Sequence, residues 1–150
     1  TLHSIGVGGL TTTFAPVYGW FIGPMDSGRQ QAYKKAIIRD FKNEYYDLIA
    51  CSWFHIPWEL FAIHYPRMLK SLKPGGDFIC EGYHTCQLEL NSGGPKSLDL
   101  LWDLDEVMDV ISDGFDVIHA GVESIELDES DLHRGPAKVV RIHFKRKQPK

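Results

Sequence analysis

The sequence predicts an α/β domain with a mostly parallel sheet that closes on an antiparallel hairpin at the C-terminal end. Three stretches carry that prediction. Tyr46-Asp47-Leu48-Ile49-Ala50-Cys51-Ser52-Trp53 and Phe78-Ile79-Cys80-Glu81-Gly82-Tyr83 are short apolar runs of the kind buried on both faces of a sheet. Between them, Leu60, Phe61, Ile63, His64, Met68, Leu69 and Leu72 recur at helical spacing from Trp58 to Leu72. Finally, Phe115 to Leu127 and Ala137 to Phe144 read as two strands, the second alternating clearly, joined by a connection short enough for a hairpin.

The chain opens on Leu2 to Gly9, a strand running into a glycine turn made by Gly6, Gly8 and Gly9. Glycines suit such a turn because a ligand reaches backbone only where no Cβ intervenes. Leu10 to Tyr18 is expected to be a short or irregular first helix, since it holds three threonines and Pro16. Trp20 to Gly23 reads as a second strand, and Asp26 stands twenty positions after Gly6. An acidic residue at that spacing can accept hydrogen bonds from both ribose hydroxyls of a nucleoside. Sulfonium-donor and nicotinamide enzymes share this geometry, so these features do not choose the cofactor. Ser27 is a candidate N-cap for a helix over Gly28 to Lys35, and Ala36 to Arg39 a short edge strand ending at Asp40. The 14 positions from Asp26 to Asp40 are about half what a helix, loop and strand require, so this edge is truncated or Asp40 is an ordinary loop carboxylate. Because the chain begins abruptly on a strand, a preceding helix is expected to be lost or left out.

In the central unit, Pro74 stops the helix, and Gly75-Gly76 allow the left-handed turn into the next strand. Thr85 to Lys96 is polar and glycine-rich, a loop, and Ser97 to Ile111 is a helix through Leu98, Leu101, Leu104, Val107, Met108 and Ile111.

Bulk composition narrows the classes. With 150 residues, one domain and one core are expected. A net charge of −4 gives no nucleic-acid surface. No apolar run approaches the roughly 20 residues that span a bilayer, and Leu2 to Leu10 lacks a signal-peptide pattern. Three cysteines argue for a reducing, cytoplasmic compartment.

Tyr46-Asp47-Leu48-Ile49 and Leu72-Lys73-Pro74-Gly75-Gly76, with a helix between them, resemble the middle of a class I S-adenosylmethionine-dependent methyltransferase. Phe54-His55-Ile56-Pro57, Glu81-Gly82-Tyr83 with Gln87, Gly93-Gly94-Pro95 and Leu132-His133-Arg134-Gly135 resemble the tellurite-resistance branch of that family. The resemblance implies a Rossmann-like three-layer sandwich, here with its N-terminal part truncated or compressed. It also implies methyl transfer from S-adenosylmethionine to a small thiol, oxyanion or metalloid nucleophile. Gly6, Gly8, Gly9, Asp26, Ser27, Asp40, Ser52 and Trp53 would hold the donor. His55 and Glu81 are the catalytic candidates, and His55, Tyr83 and Arg134 the substrate contacts. The family's usual third glycine spacing is missing between Gly8 and Gly9, and Ser4 stands where an acidic residue is usual.

Each candidate also has a plain structural role. His55 could be a loop histidine bonded to backbone, Trp53 and Phe54 core side chains, and Arg134 a surface arginine. Cys80, Glu81, His84 and Cys86 match no zinc spacing, because Cys80 points away from Glu81 on a strand, so no metal is expected. Cys51 has no visible partner as a nucleophile. The implied partners are a small-molecule substrate and a homo-oligomer, with neither nucleic acid nor membrane. Two other classes stay open: a degenerate, non-catalytic binding domain and a nucleotide-cofactor oxidoreductase.

Overall fold

A computed structural model describes residues 3–7, 10–18 and 46–150, the first two ranges as backbone alone. Among the described residues six strands form one sheet: β1 (His3–Val7), β2 (Leu10–Tyr18), β3 (Tyr46–Ser52), β4 (Leu72–Tyr83), β5 (Phe115–Ser130) and β6 (His133–Arg146). Their spatial order is β1-β2-β3-β4-β6-β5. β2, β3 and β4 are parallel, while β6 runs antiparallel to both β4 and β5. β5 therefore points the same way as β4, and β6 is the reversed strand inside a mixed sheet.

Helix α1 (Trp58–Leu69) crosses from β3 to β4, and α2 (Leu104–Ile111) precedes β5. Neither starts unaided. The Trp58 N–H donates to Asp99 Oδ1, 3.2 Å away, across 41 residues of sequence. Asp103 caps α2, its Oδ1 accepting from the Asp105 and Glu106 N–H groups. Phe61, Tyr65, Met68 and Leu69 of α1 and Val107 and Ile111 of α2 pack with Ile49, Cys51, Phe78, Ile142 and Phe144 into one core. Both helices thus cover the same face of the sheet, and in the described residues the architecture has two layers.

Several expectations change. Leu10 to Tyr18 is a strand, not a helix. Its Thr11-Thr12-Thr13-Phe14 and Val17-Tyr18 are β-branched or aromatic residues that favour a pleated surface. The Leu72-to-Gly76 turn is absorbed into β4 as a register slip, since Tyr46 faces Leu72 but Leu48 faces Asp77, with Gly75 at φ 79°. Thr85–Glu89 and Leu98–Leu100 are 3₁₀ turns, so the helix expected from Ser97 starts only at Leu104. The hairpin strands run longer than expected, leaving only Asp131 and Leu132 between them. The segments expected over Trp20 to Arg39 lie outside the described residues.

Candidate functional site

Parallel strands put their C-terminal ends on one side, where ligands of open α/β sheets sit. Tyr18, Ser52 and Glu81 come level there, on β2, β3 and β4. Past Ser52 the backbone turns sharply: Trp53 adopts φ 55°, a left-handed conformation uncommon for an aromatic residue. Its N–H donates to the Glu81 carbonyl at 2.9 Å, and its ring centroid lies 4.5 Å from that of Tyr83. Such a conformation costs roughly 1–3 kcal/mol and persists only when its surroundings hold it.

The turn drives His55 into the interior. It is fully buried, with Nδ1 2.6 Å from the Leu100 carbonyl and Nε2 3.1 Å from the Tyr83 N–H. A carbonyl only accepts and an amide only donates, so the ring is the Nδ1–H tautomer, bridging the chain before α2 to the end of β4. Neither nitrogen can take or give a proton without breaking one of these bonds. His55 is thereby placed as a bracing residue rather than a proton acceptor.

Gln87 works the same way. Fully buried, it donates from Nε2 to Ser92 Oγ (2.9 Å) and the Gly93 carbonyl (3.1 Å), and accepts from the Lys138 N–H (2.9 Å). It stitches the Ser92–Gly94 loop to β6. Tyr83 lies under that loop, close enough to Gly94 that a Cβ there would sit 2.9 Å from the ring. Its hydroxyl is buried without a hydrogen-bond partner among the described residues. Burial, with the charges of Glu129 and Glu81, pushes that hydroxyl well above its ordinary pKa, so it remains protonated.

A second polar group lies on the sheet face opposite the helices. Register places Ser52, Glu81 and Arg141 in a row across β3, β4 and β6. Arg141 Nε donates to Glu81 Oε2, and its Nη1 donates to Glu123 Oε2 at 2.6 Å. The hydrogen bond from Arg141 holds the Glu123 carboxyl below its ordinary value, and the bond to Glu81 raises the guanidinium. Glu123 also meets His119 Nε2 at 3.1 Å. Further along the face, Asp77 takes His143 Nε2 at 2.8 Å and Lys145 Nζ at 2.9 Å. Partial burial opposes ionisation of Asp77, but these two bonds outweigh it and lower the carboxyl's pKa.

An open cleft of about 390 Å³ lies on this face, floored by Ala50 and Ile79 and edged by Ser52, Glu81, His119, Glu123, Arg141 and His143. Its size falls in the range of small-molecule sites, which mix apolar walls with a few convergent polar groups. Arg141 engages one oxygen of Glu81, leaving Oε1 without a partner among the described residues.

The structure therefore brings together Ser52, Trp53, His55, Glu81 and Tyr83, and separates others from them. Gly6 does not lie in a turn after a parallel strand: it pairs with Thr11 inside the antiparallel β1–β2 hairpin. That hairpin closes where β2 begins, whereas Ser52 faces the residue where β2 ends. Gly8, Gly9, Asp26, Ser27 and Asp40 lie outside the described residues. Arg134 is on the β5–β6 hairpin, exposed and paired with Asp128 (3.1 Å) and Asp131 (3.3 Å). Its charge is answered by two carboxylates rather than aimed at the strand ends. Arg141, Glu123 and His143 were not singled out by sequence. Alternation along β6 marks Arg141 and His143 as facing away from Val140, Ile142 and Phe144, but only register reveals what they face.

No family model and no curated protein sequence matches the chain. Solved structures do. The N-methyltransferase NodS of Bradyrhizobium japonicum WM9 matches with a TM-score of 0.52 at 13% identity, over 89% of this chain and 73% of that one. A second structure of that enzyme holds S-adenosyl-L-homocysteine. A SAM-dependent methyltransferase of Methanosarcina mazei matches with a TM-score of 0.51 at 11% identity, over 73% and 63%. A structure concerned with converting a disulfide bond into a thioacetal group during echinomycin biosynthesis gives 0.55 at 10%, over 75% and 55%. The chain spans 55–73% of the length of these three proteins. At these identities the likeness is one of fold: the described residues have the α/β fold of SAM-dependent methyltransferases.

Proposed function

We propose that this chain is a methyltransferase domain that passes a methyl group from S-adenosylmethionine to a small nucleophile in the cleft beside Ser52, Glu81 and Arg141. One observation supports this most: the residues resembling the family motifs fold into a parallel β3–α1–β4 unit, and Ser52, Trp53 and Glu81 meet at its carboxyl end. The donor supplies an activated methyl carbon, whose bond to sulfur breaks as the acceptor's lone pair attacks. The protein's part in such an in-line displacement is orientation and exclusion of water.

Ser52 and Trp53 are the donor contacts of this reading. Gly6 is not among them, because its place in the hairpin does not fit the role. Glu81 Oε1 and Arg141 line the acceptor side, and the guanidinium suits an anionic or oxyanion acceptor. His55 braces the wall by holding the Tyr83 backbone. A soft thiol, selenium or tellurium acceptor requires little base, consistent with a site whose buried histidine is engaged twice. The tellurite-resistance branch and a cytoplasmic setting rest on the sequence motifs and cysteine usage alone.

A second reading, a non-catalytic methyltransferase-like binding domain, has its own support in Gly6 and in the engaged His55. Labelled methyl donor, offered with a panel of small thiols, selenols and oxyanions including tellurite, separates the two. Transfer that falls in Glu81→Gln and Arg141→Met supports the enzyme. Retained donor binding with no transfer to any acceptor moves the assignment to the second reading. An oxidoreductase has no comparable observation behind it, and NADH binding followed by fluorescence would reopen it.

A further inference from the structure

We propose that the outer edge of β5, from Phe115 to Ala120, is a self-association surface that pairs antiparallel with the same segment of a second copy of this chain. β5 stands at the end of the sheet order and pairs only with β6 among the described residues. It is 16 residues long, and an edge of that length presents a row of unpaired backbone groups unless side chains guard it.

The guarding is uneven. From Glu123 onward, Glu123, Glu126, Asp128 and Glu129 supply repulsive charge. From Phe115 to Val122 the titratable side chains are only Asp116 and His119, with no lysine, arginine or proline. That same half leaves Val117, Ile118 and Val122 exposed by 48%, 55% and 40%. The unguarded backbone and the exposed apolar side chains therefore coincide.

Setting an acid against a histidine rather than against another acid selects the occupant and the register. With a two-fold axis between Val117 and Ile118, Val117 opposes Ile118 of the partner subunit, and Asp116 opposes His119 of the partner subunit. Each contact occurs twice. The ladder to β6 slips between Val117 and His119, making Ile118 the extra residue and putting Asp116 and His119 on the same face. The axis relates one bulge to the other, so the kink stays in step in both strands. His119 already bonds Glu123 of its own strand, and the opposing Asp116 adds a second carboxylate. Full overlap of the two strands would instead set Asp116 against Glu129 of the partner subunit, so the short register is favoured. It also leaves the acidic halves extending past one another.

Sedimentation velocity on the full chain tests this across a concentration series reaching about 200 µM, the range where a short edge contact becomes populated. The expected result is a concentration-dependent dimer. Asp116→Lys weakens it about tenfold or more, and adding His119→Glu restores it substantially. Ile118→Lys abolishes it. A chain that stays monomeric throughout overturns the proposal, as does a dimer that none of these changes moves. Circular dichroism verifies folding, and if Ile118→Lys unfolds, the charge-reversal pair at two exposed positions decides alone.

Discussion

Around His55 both ring nitrogens are engaged in full burial by backbone groups, the Leu100 carbonyl and the Tyr83 N–H. Around Arg141 the bonds are as numerous, but the side chains are between a quarter and two-fifths exposed and border an open cleft. Both regions sit near the carboxyl ends of β3 and β4, and both hold residue types that chemistry uses. The difference lies in spare capacity. A buried group with all its bonds satisfied gives the frame its shape, because unsatisfying it costs the full desolvation of what it leaves behind. A half-exposed group with an uncommitted oxygen, such as Glu81 Oε1, can exchange water for a ligand at little cost.

The sharpest way to break that contrast is His55→Ala. It orphans the Leu100 carbonyl and the Tyr83 N–H and opens a cavity, so stability should fall by about 3 kcal/mol in urea denaturation. A loss under about 0.5 kcal/mol would show that the strand ends are not braced as described. Gly82→Ala comes next. A Cβ there would lie 2.4 Å from the Trp102 ring, and overpacking of this kind costs about 1–3 kcal/mol, read from the same titration.

On the cleft side the stability effects shrink. Arg141→Met should cost about 1 kcal/mol or less, since the ion pairs are partly exposed and screened. Adding Glu81→Gln should recover part of it by removing one of two facing carboxylates; a double variant worse than the single would contradict the pairing. Asp77→Asn is the smallest. The folded pKa of Asp77 is depressed, so its contribution is present above the unfolded carboxylate range and is lost as pH falls through that range to the folded value. Thermal unfolding followed from pH 6 down to about pH 3 should therefore show a shallower acid decline in the variant than in the parent.

How much of this was legible beforehand follows from what periodicity can carry. The β3–α1–β4 unit was readable because its apolar runs and helical spacing are local signals. The strand nature of Leu10 to Tyr18 was misread because its three threonines and Pro16 were taken only to weaken an expected helix, when β-branched threonines favour a strand. Ser97 to Ile111 has helical spacing throughout, yet the Asp103 cap starts the helix only at Leu104. For His55 the backbone-bonded alternative proved to be the role, but its partners were not legible, since Leu100 is 45 residues away in sequence. Arg141 was invisible for the same reason: it meets Glu81 across 60 residues, a contact set by strand order alone.

Calorimetric titration of the folded chain with S-adenosyl-L-homocysteine tests most directly the claim that the carboxyl ends of β3 and β4 hold a methyl donor. The account predicts micromolar binding that Ser52→Ala weakens and Glu81→Gln leaves within about twofold, while His55→Asn lowers thermal stability first. A folded chain that takes up no S-adenosyl-L-homocysteine would contradict it.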